Sequence, residues 1–242
     1  MRRFFGSVNE IDNTVSFSED TSKHIKVIRL NISESFEVVS NGEIFLCKVI
    51  NLFPFKAEVI KKLSLESERE LNFDLILFCP LLKHGNFELV LQKSVELGVK
   101  EIYPYLSSRV IKRVSKDEFD SKKSRYEKII SAASEQSNRT IVPILHDLYN
   151  MDELTSVEAK YKFIAFENEA IKGKMIPAII LEPNEKAICL IGPEGGFSQQ
   201  EVDLFTSNGF QAVSLGKRIL RAETAVFYML SVVGYNGEKN ND

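Results

Sequence analysis

The sequence predicts an α/β domain with a mainly parallel sheet, preceded by a small β-rich module. Three observations carry that reading. From Phe73 onward, short apolar runs that suit buried strands alternate with segments whose apolar residues recur at helical spacing. Before Phe73, the stretch FEVVSNGEIFLCKVINL sets two apolar segments around Asn41-Gly42, the dipeptide suited to a type I′ hairpin. Between the two parts, residues 64–72 (SLESERELN) are polar and charged and read as a linker.

Residues 1–65 read as short strands, with His24 to Leu30 a short helix or turn and Lys56 to Leu63 a further strand. Phe73 to Cys79 is an apolar strand stopped by Pro80. Phe87, Val90, Leu91, Ser94 and Val95 then mark a helix that ends at Gly98, a C′ glycine. Glu101 to Tyr105 is strand, and residues 120–136 form an amphipathic helix with Tyr126, Ile129, Ile130 and Ala133 on one side. Ile141 to Leu145 and Lys162 to Phe166 follow as strands. Ala187 to Ile191 is a continuous apolar run, the pattern of a strand buried on both faces. Gly192-Pro193-Glu194-Gly195-Gly196 breaks it. Ser198 and Glu201 then fit a capping box, and Asn208-Gly209 stops the helix they open. Phe210 to Leu215 returns as strand, residues 216–221 (GKRILR) form a second loop, and from Ala222 the apolar spacing is helical again.

Composition sets limits on what such a chain does. At 242 residues, 44% apolar and 27% charged, it has the profile of a soluble globular protein with ample length for a core. No apolar run reaches the roughly 18 residues of a membrane span, and MRRFFGSVNE lacks the apolar stretch of a secretory peptide. Cys47, Cys79 and Cys189 sit singly in apolar strands, as buried thiols do in a reducing cytoplasm. His24, His84 and His146 have no partner at ligand spacing, so no metal site is expected. A net charge of −3 argues against a globally basic nucleic-acid binder, but local sets remain. One is residues 107–128; the other is Arg2, Arg3, Lys23, Lys26 and Arg29. Each reads equally as a solvated face or as a patch for a phosphate backbone.

The chemistry falls in residues 186–226, where two strands each end in a glycine-bearing loop that runs into a helix. GPEGG invites a phosphate-loop reading. It lacks the Lys-Ser/Thr of a Walker motif and the spacing of GxGxxG, and Glu194 would repel a phosphate. A ligand without phosphates suits it better, gripped by backbone and apolar groups; S-adenosylmethionine, with a sulfonium that tolerates a carboxylate, is one. Glu223 favours the helix macrodipole, whereas Arg218 and Arg221 at a helix start oppose it, so a functional role accounts for them better than a structural one.

LIGPEGGFSQQEV followed by LGKRILRAETA resembles the paired signature of the RsmE-type uridine-N3 methyltransferases of 16S ribosomal RNA, within the SPOUT superfamily. FELVLQKSVELGVKEIYP, AASEQSNRTIVP with its Glu-Gln-x-x-Arg, and HIKVIRL near the N-terminus resemble further segments of that family, so the likeness spans nearly the whole chain. One departure stands out. Relatives often carry a basic residue shortly before the first helix; this chain has His84-Gly85-Asn86, with Lys83 just ahead.

The resemblance implies a PUA-like β-barrel RNA-binding domain over 1–68 and a SPOUT methyltransferase domain, with a trefoil knot, over 72–242. It implies bent S-adenosylmethionine held against Phe166, Leu190, Ile191, Gly192, Gly195, Gly196, Leu215, Gly216, Arg218, Ile219 and Leu220. It also implies a cytoplasmic homodimer joined through the helix from Ala225 to Val233. The expected partner is 16S ribosomal RNA or the small ribosomal subunit, with Arg2, Arg3, Lys23 and Arg29 on RNA backbone. Methylating uridine N3 requires losing its proton: Arg221 suits the stabilisation of charge on the uracil oxygens, and Glu194 and Glu223 are both candidates for general base. Two rivals are another SPOUT RNA methylation, disfavoured by the PUA-like first part and the RILRAETA wording, and a non-catalytic assembly factor, disfavoured by the intact GPEGG and LGKRILRAET.

Overall fold

In the structure, a computed structural model that describes residues 1–63, 69–83, 85–107, 109, 115–167 and 174–239, the chain divides into two units. The first is Met1–Glu70 with Ser134–Val142; the second is Leu71–Ala133 with Pro143–Asp242. The linear reading left 134–142 with the C-terminal part.

The first unit holds β1 (Arg3–Phe5), β2 (Ser7–Asn9), β3 (Thr14–Ser16), α1 (Glu19–Ile28), β4 (Ser35–Ser40), β5 (Glu43–Leu52) and β6 (Phe55–Lys62). The strands pair in the order β1-β4-β5-β6-β3-β2. β1 and β2, at opposite ends of that order, are joined through Gly6 alone, so one bent strand serves both edges and the sheet curls towards a barrel. A Cβ on Gly6 would stand 2.9 Å from the Ser16 carbonyl oxygen, which is why the corner takes no side chain. The β4–β5 hairpin turns at Asn41 (φ 53°) and Gly42 (φ 80°), the two left-handed residues of the type I′ turn that its sequence predicts. α1 begins five residues before His24, because the Ser18 side chain accepts the Thr21 N–H at 3.1 Å and acidic residues fill its first turn. Phe4, Ile25, Phe36, Val38, Phe45, Cys47 and Val49 make the core. Ser134–Val142 is tied in by long-range polar contacts. The Glu135 carboxylate accepts the Phe5 N–H at 3.3 Å and meets His24 at 3.3 Å, and Arg139 donates to Glu70 at 2.8 Å. Glu70 also accepts the Thr140 N–H at 2.7 Å, so this end of the predicted linker is anchored; residues 64–68 lie outside the described ones.

The second unit holds β7 (Asp74–Pro80), α2 (Asn86–Glu96), β8 (Glu101–Leu106), α3 (Lys116–Gln136), β9 (Ile144–Leu145), β10 (Tyr149–Asn150) and α4 (Met151–Leu154). It continues with β11 (Tyr161–Ala165), β12 (Lys186–Leu190), α5 (Gln199–Ser207), β13 (Gln211–Val213) and α6 (Ala222–Lys239). The strand order is β10-β8-β7-β12-β11-β13, with β9 also on β8, and every pair is parallel. Alternation along the central strands splits the core in two. Leu75, Leu77, Cys79, Ala187 and Cys189 face α2, α3 and α6, whereas Ile76, Phe78, Ile188 and Leu190 face α5. Helices cover both faces, as parallel sheets require. The strand read over 141–145 is confined to Ile144–Leu145, because Pro143 has no N–H to give a ladder and the residues before it belong to the first unit. β10 and α4 carried too few residues for their periodicity to register.

Candidate active site

With every pair parallel, the carboxyl ends of β7, β12, β11 and β13 share one edge, where open parallel sheets hold ligands. A cleft of about 640 Å³ opens there. Lys83 and Asn86 reach it from beyond β7, and Phe166 and Glu167 from beyond β11. The first glycine loop follows β12, and Ser214–Glu223 follow β13.

The first loop is held from several sides. Tyr105 on β8 donates its hydroxyl to the Ile191 carbonyl at 2.6 Å; burial, with Cys79 and Glu201 nearby, raises the phenol's pKa well above its ordinary value, so it keeps the proton it donates. The Glu194 carboxylate accepts the Lys83 N–H at 3.2 Å, which joins the exits of β12 and β7. Arg109 donates to the Phe197 carbonyl at 3.2 Å. The predicted capping box is present: Ser198 N–H donates to Glu201 at 2.7 Å, and Glu201 N–H donates to the Ser198 hydroxyl at 3.2 Å. The Ser107 hydroxyl donates to the other Glu201 oxygen at 3.1 Å. Gly196 sits at φ +65° with its N–H on the Pro193 carbonyl at 2.8 Å, a tight turn in the left-handed region.

The second loop starts from a pinned strand end. Phe166 N–H donates to the Val213 carbonyl at 2.9 Å, and Ser214 N–H donates to the Lys174 carbonyl at 2.6 Å. The Ser214 hydroxyl accepts the Gly216 N–H at 3.1 Å, with Gly216 at φ +104°. At the far end the Arg221 carbonyl accepts the Ala225 N–H at 2.8 Å, so Arg221 is fixed at the start of α6. Lys217, Arg218 and Arg221 are exposed and Glu223 half-buried. None of these four has an ion pair among the described residues. Uncompensated cations at a helix start oppose the helix dipole, so the loop suits an anionic partner.

Phe166, Ile191, Gly192, Gly196, Leu215, Gly216, Arg218, Ile219 and Leu220 line the cleft, as do Arg221, Glu194 and Glu223. Two of the predicted residues do not. Leu190 is wholly buried in β12, facing α5. Gly195 turns to Arg109, whose carbonyl oxygen lies 3.2 Å from where a Cβ would stand. Sequence reasoning missed Asn86, Glu167, Phe197 and Ser214. A signal for the first two existed: in a parallel sheet the residues after every strand gather at one edge.

The basic residues of the first unit divide. Arg2, Lys23 and Arg29 are exposed, Arg2 with Glu34 at 3.5 Å and Lys23 with Glu19 at 2.6 Å. Arg3 is a correction. It is 6% exposed, pairs with Glu37 at 2.7 Å and donates to the Asn138 carbonyl, so its guanidinium is committed inside the unit. In the basic run 107–128, residues 108 and 110–114 lie outside the described ones, as does His84. Lys122, Lys123 and Arg125 pair with Glu118, Asp147 and Glu88. The apolar surface expected to join two copies through α6 is largely used at home: Val226, Met229, Leu230 and Val233 are fully buried, leaving Tyr228 and Tyr235 exposed. No described helix is long and apolar enough to cross a membrane.

Residues 69–234 match the family described as RNA methyltransferase domain. The ribosomal RNA small subunit methyltransferase E of Mesomycoplasma hyopneumoniae is 35% identical, over 96% of this chain and 98% of its own. That of Bacillus subtilis is 27% identical over 98% of each. The crystal structure of the Neisseria gonorrhoeae enzyme of that name, bound to S-adenosyl methionine, superposes with a TM-score of 0.83 at 28% identity, covering 98% of both chains.

Proposed function

The chain belongs to the ribosomal RNA small subunit methyltransferase E family of RNA methyltransferases, and from that premise we propose that it methylates N3 of a uridine in 16S ribosomal RNA with S-adenosylmethionine. The observation that carries the reading is the cleft at the carboxyl ends of four parallel strands, where free cations and carboxylates stand beside bare glycine backbone and apolar walls. The residues present fit that cofactor. A cleft of about 640 Å³ is of the size that holds such molecules. Phe166, Ile191, Leu215 and Leu220 offer apolar faces to an adenine, and the two loops offer backbone groups to its edge. When bound, S-adenosylmethionine supplies an electrophilic methyl group on a sulfonium.

The chain's own residues do the rest. The first glycine loop, held by Tyr105, Arg109 and the Ser198–Glu201 cap, and the second, pinned at Phe166 and Ser214, position the ligand, and positioning supplies much of the rate of a bimolecular transfer. Arg221 presents a guanidinium to negative charge spreading over the uracil oxygens. Glu223, without an ion pair among the described residues, stands at the cleft wall and takes the N3 proton as general base, while the Glu194 carboxylate is occupied with the Lys83 amide. The first unit, with Arg2, Lys23 and Arg29, holds RNA backbone. Uridine N3 is reached when the base is unpaired or turned out of its stack. A second copy of the chain completes the assembly, with Tyr228 and Tyr235 of α6 on its contact face.

The test is transfer of labelled methyl groups to small ribosomal subunits and to free 16S RNA, read by nucleoside mass spectrometry. The expected product is 3-methyluridine. A ribose 2′-O-methyl product would move the chain to a different SPOUT activity, and S-adenosylmethionine binding without transfer to either RNA would make it a binding factor.

A further inference from the structure

The roles above leave one cleft carboxylate unassigned. Glu167 stands two residues beyond the end of β11 and lines the cleft, exposed and without a partner among the described residues. Its backbone is fixed from the preceding position: Phe166 is 8% exposed in the core, and its N–H is bonded to the Val213 carbonyl at 2.9 Å. Its side chain reaches across to the first glycine loop. Oε1 lies 3.8 Å from where a Cβ on Gly196 would stand, so the carboxylate looks onto bare backbone rather than onto a cation. The cleft's cations, Lys83, Lys217, Arg218 and Arg221, come from the other loops.

An ionised carboxylate accepts through both oxygens and donates through neither, so it can take two neighbouring donors at once. A vicinal diol offers two O–H donors at the spacing of those oxygens. A carboxylate just beyond the carboxyl end of a parallel strand is also where adenosine-type ligands of open α/β sheets have their ribose hydroxyls held. The neighbour of Glu167 in sequence, Phe166, is one of the apolar walls suited to the adenine, and the ribose is the group attached to that base. Resting on the reading of the cleft as an S-adenosylmethionine site, we propose that the Glu167 carboxylate accepts the hydrogen bonds of the cofactor's ribose hydroxyls and so sets the site's preference for a ribonucleoside.

The experiment is isothermal calorimetry on the full chain and on Glu167→Ala and Glu167→Gln, with circular dichroism to show that the variants are folded. The ligands are S-adenosylhomocysteine, its 2′-deoxy and 3′-deoxy forms, and 5′-methylthioadenosine, which keeps the ribose and lacks the amino-acid tail. Hydrogen bonds to a charged group are worth about 10- to 100-fold in affinity, so Glu167→Ala loses that much for S-adenosylhomocysteine and the same for methylthioadenosine. Each deoxy ligand binds wild type less tightly and loses little more on the variant, because the partner is already gone. Glu167→Gln, with one acceptor oxygen, falls between. If the loss vanishes with methylthioadenosine, the carboxylate faces the ammonium of the tail and the proposal is overturned. Equal losses with ribose and deoxyribose ligands overturn it as well. If wild type binds none of the four, the reading of the cleft fails and the proposal with it.

Discussion

The Lys83 amide donates to the Glu194 carboxylate at 3.2 Å, and that single bond joins the exit of β7 to the glycine loop after β12. A carboxylate in that position has a holding role, which Gln can reproduce because it keeps a carbonyl oxygen. Glu194→Gln should therefore retain methyl transfer within a few-fold, while Glu194→Ala should weaken cofactor affinity by about tenfold, the worth of one charge-assisted bond. Inactivity of the Gln variant, with cofactor affinity intact, would return Glu194 to the role of general base.

Gly196 makes a second test. At φ +65° a β-branched residue such as Val is strained, and the loop itself would change. Ala costs about 1 kcal/mol in that region and still places a methyl 3.8 Å from the Glu167 carboxylate. Gly196→Ala should lower S-adenosylmethionine affinity while the melting temperature moves by only a few degrees. Unchanged affinity by calorimetry would remove this face of the loop from the site.

How much of this was legible depends on how local each decision is. The apolar runs of β7 and β12, the Asn41-Gly42 turn and the Ser198 cap follow from a few neighbouring residues, and they stand in the structure where the sequence places them. The two glycine loops were readable for the same reason. Glu167 and Asn86 ask for more, because they reach the cleft through the parallel arrangement of the whole sheet and not through any short window. Arg3 was misplaced because a charge reads the same whether exposed or buried. Its burial is decided by Glu37 on the neighbouring strand and by Asn138, 135 residues away.

Arg3 accordingly belongs in a stability experiment. Removing one partner of a buried ion pair leaves the other charge uncompensated, at a cost of about 3 kcal/mol. Arg3→Ala should lower the unfolding free energy of the first unit by that amount, read from a denaturant titration. Arg2→Ala, at an exposed pair, should leave it unchanged, since such pairs are worth about 1 kcal/mol or less.

Glu101 supplies the pH dependence. Burial raises its pKa, but hydrogen bonds from His146 at 2.7 Å and Tyr103 at 2.9 Å, with Lys186 at 3.5 Å, outweigh that and hold the carboxyl below its ordinary value. A carboxylate with a depressed folded-state pKa contributes stability above its unfolded value of about 4.3, and loses it as the pH falls through the folded one. The difference in unfolding free energy between wild type and Glu101→Gln should be full at neutral pH and shrink once the pH drops below about 4. A difference that stays constant across that range would mean that packing, and not charge, accounts for this cluster.

The division of labour between RNA affinity and chemistry can be separated by salt and by single turnover. Arg2, Lys23 and Arg29 are exposed on the first unit, and phosphate contacts release counterions, each changing the log–log slope of affinity against salt by about one unit. Replacing any of the three with Ala should weaken RNA binding, flatten that slope and leave cofactor affinity alone. Arg221 should behave differently. Its place at the cleft wall, free of ion pairs among the described residues and fixed by the Ala225 amide on its carbonyl, suits charge that develops only during transfer. Arg221→Ala should lower the single-turnover rate at saturating RNA and cofactor by about ten- to a thousandfold. Arg221→Lys should recover little of it, since a compact ammonium lacks the planar two-pronged donor. A normal rate in Arg221→Ala would make this arginine a binding residue and shift the charge-stabilising role to Arg218 on the same loop.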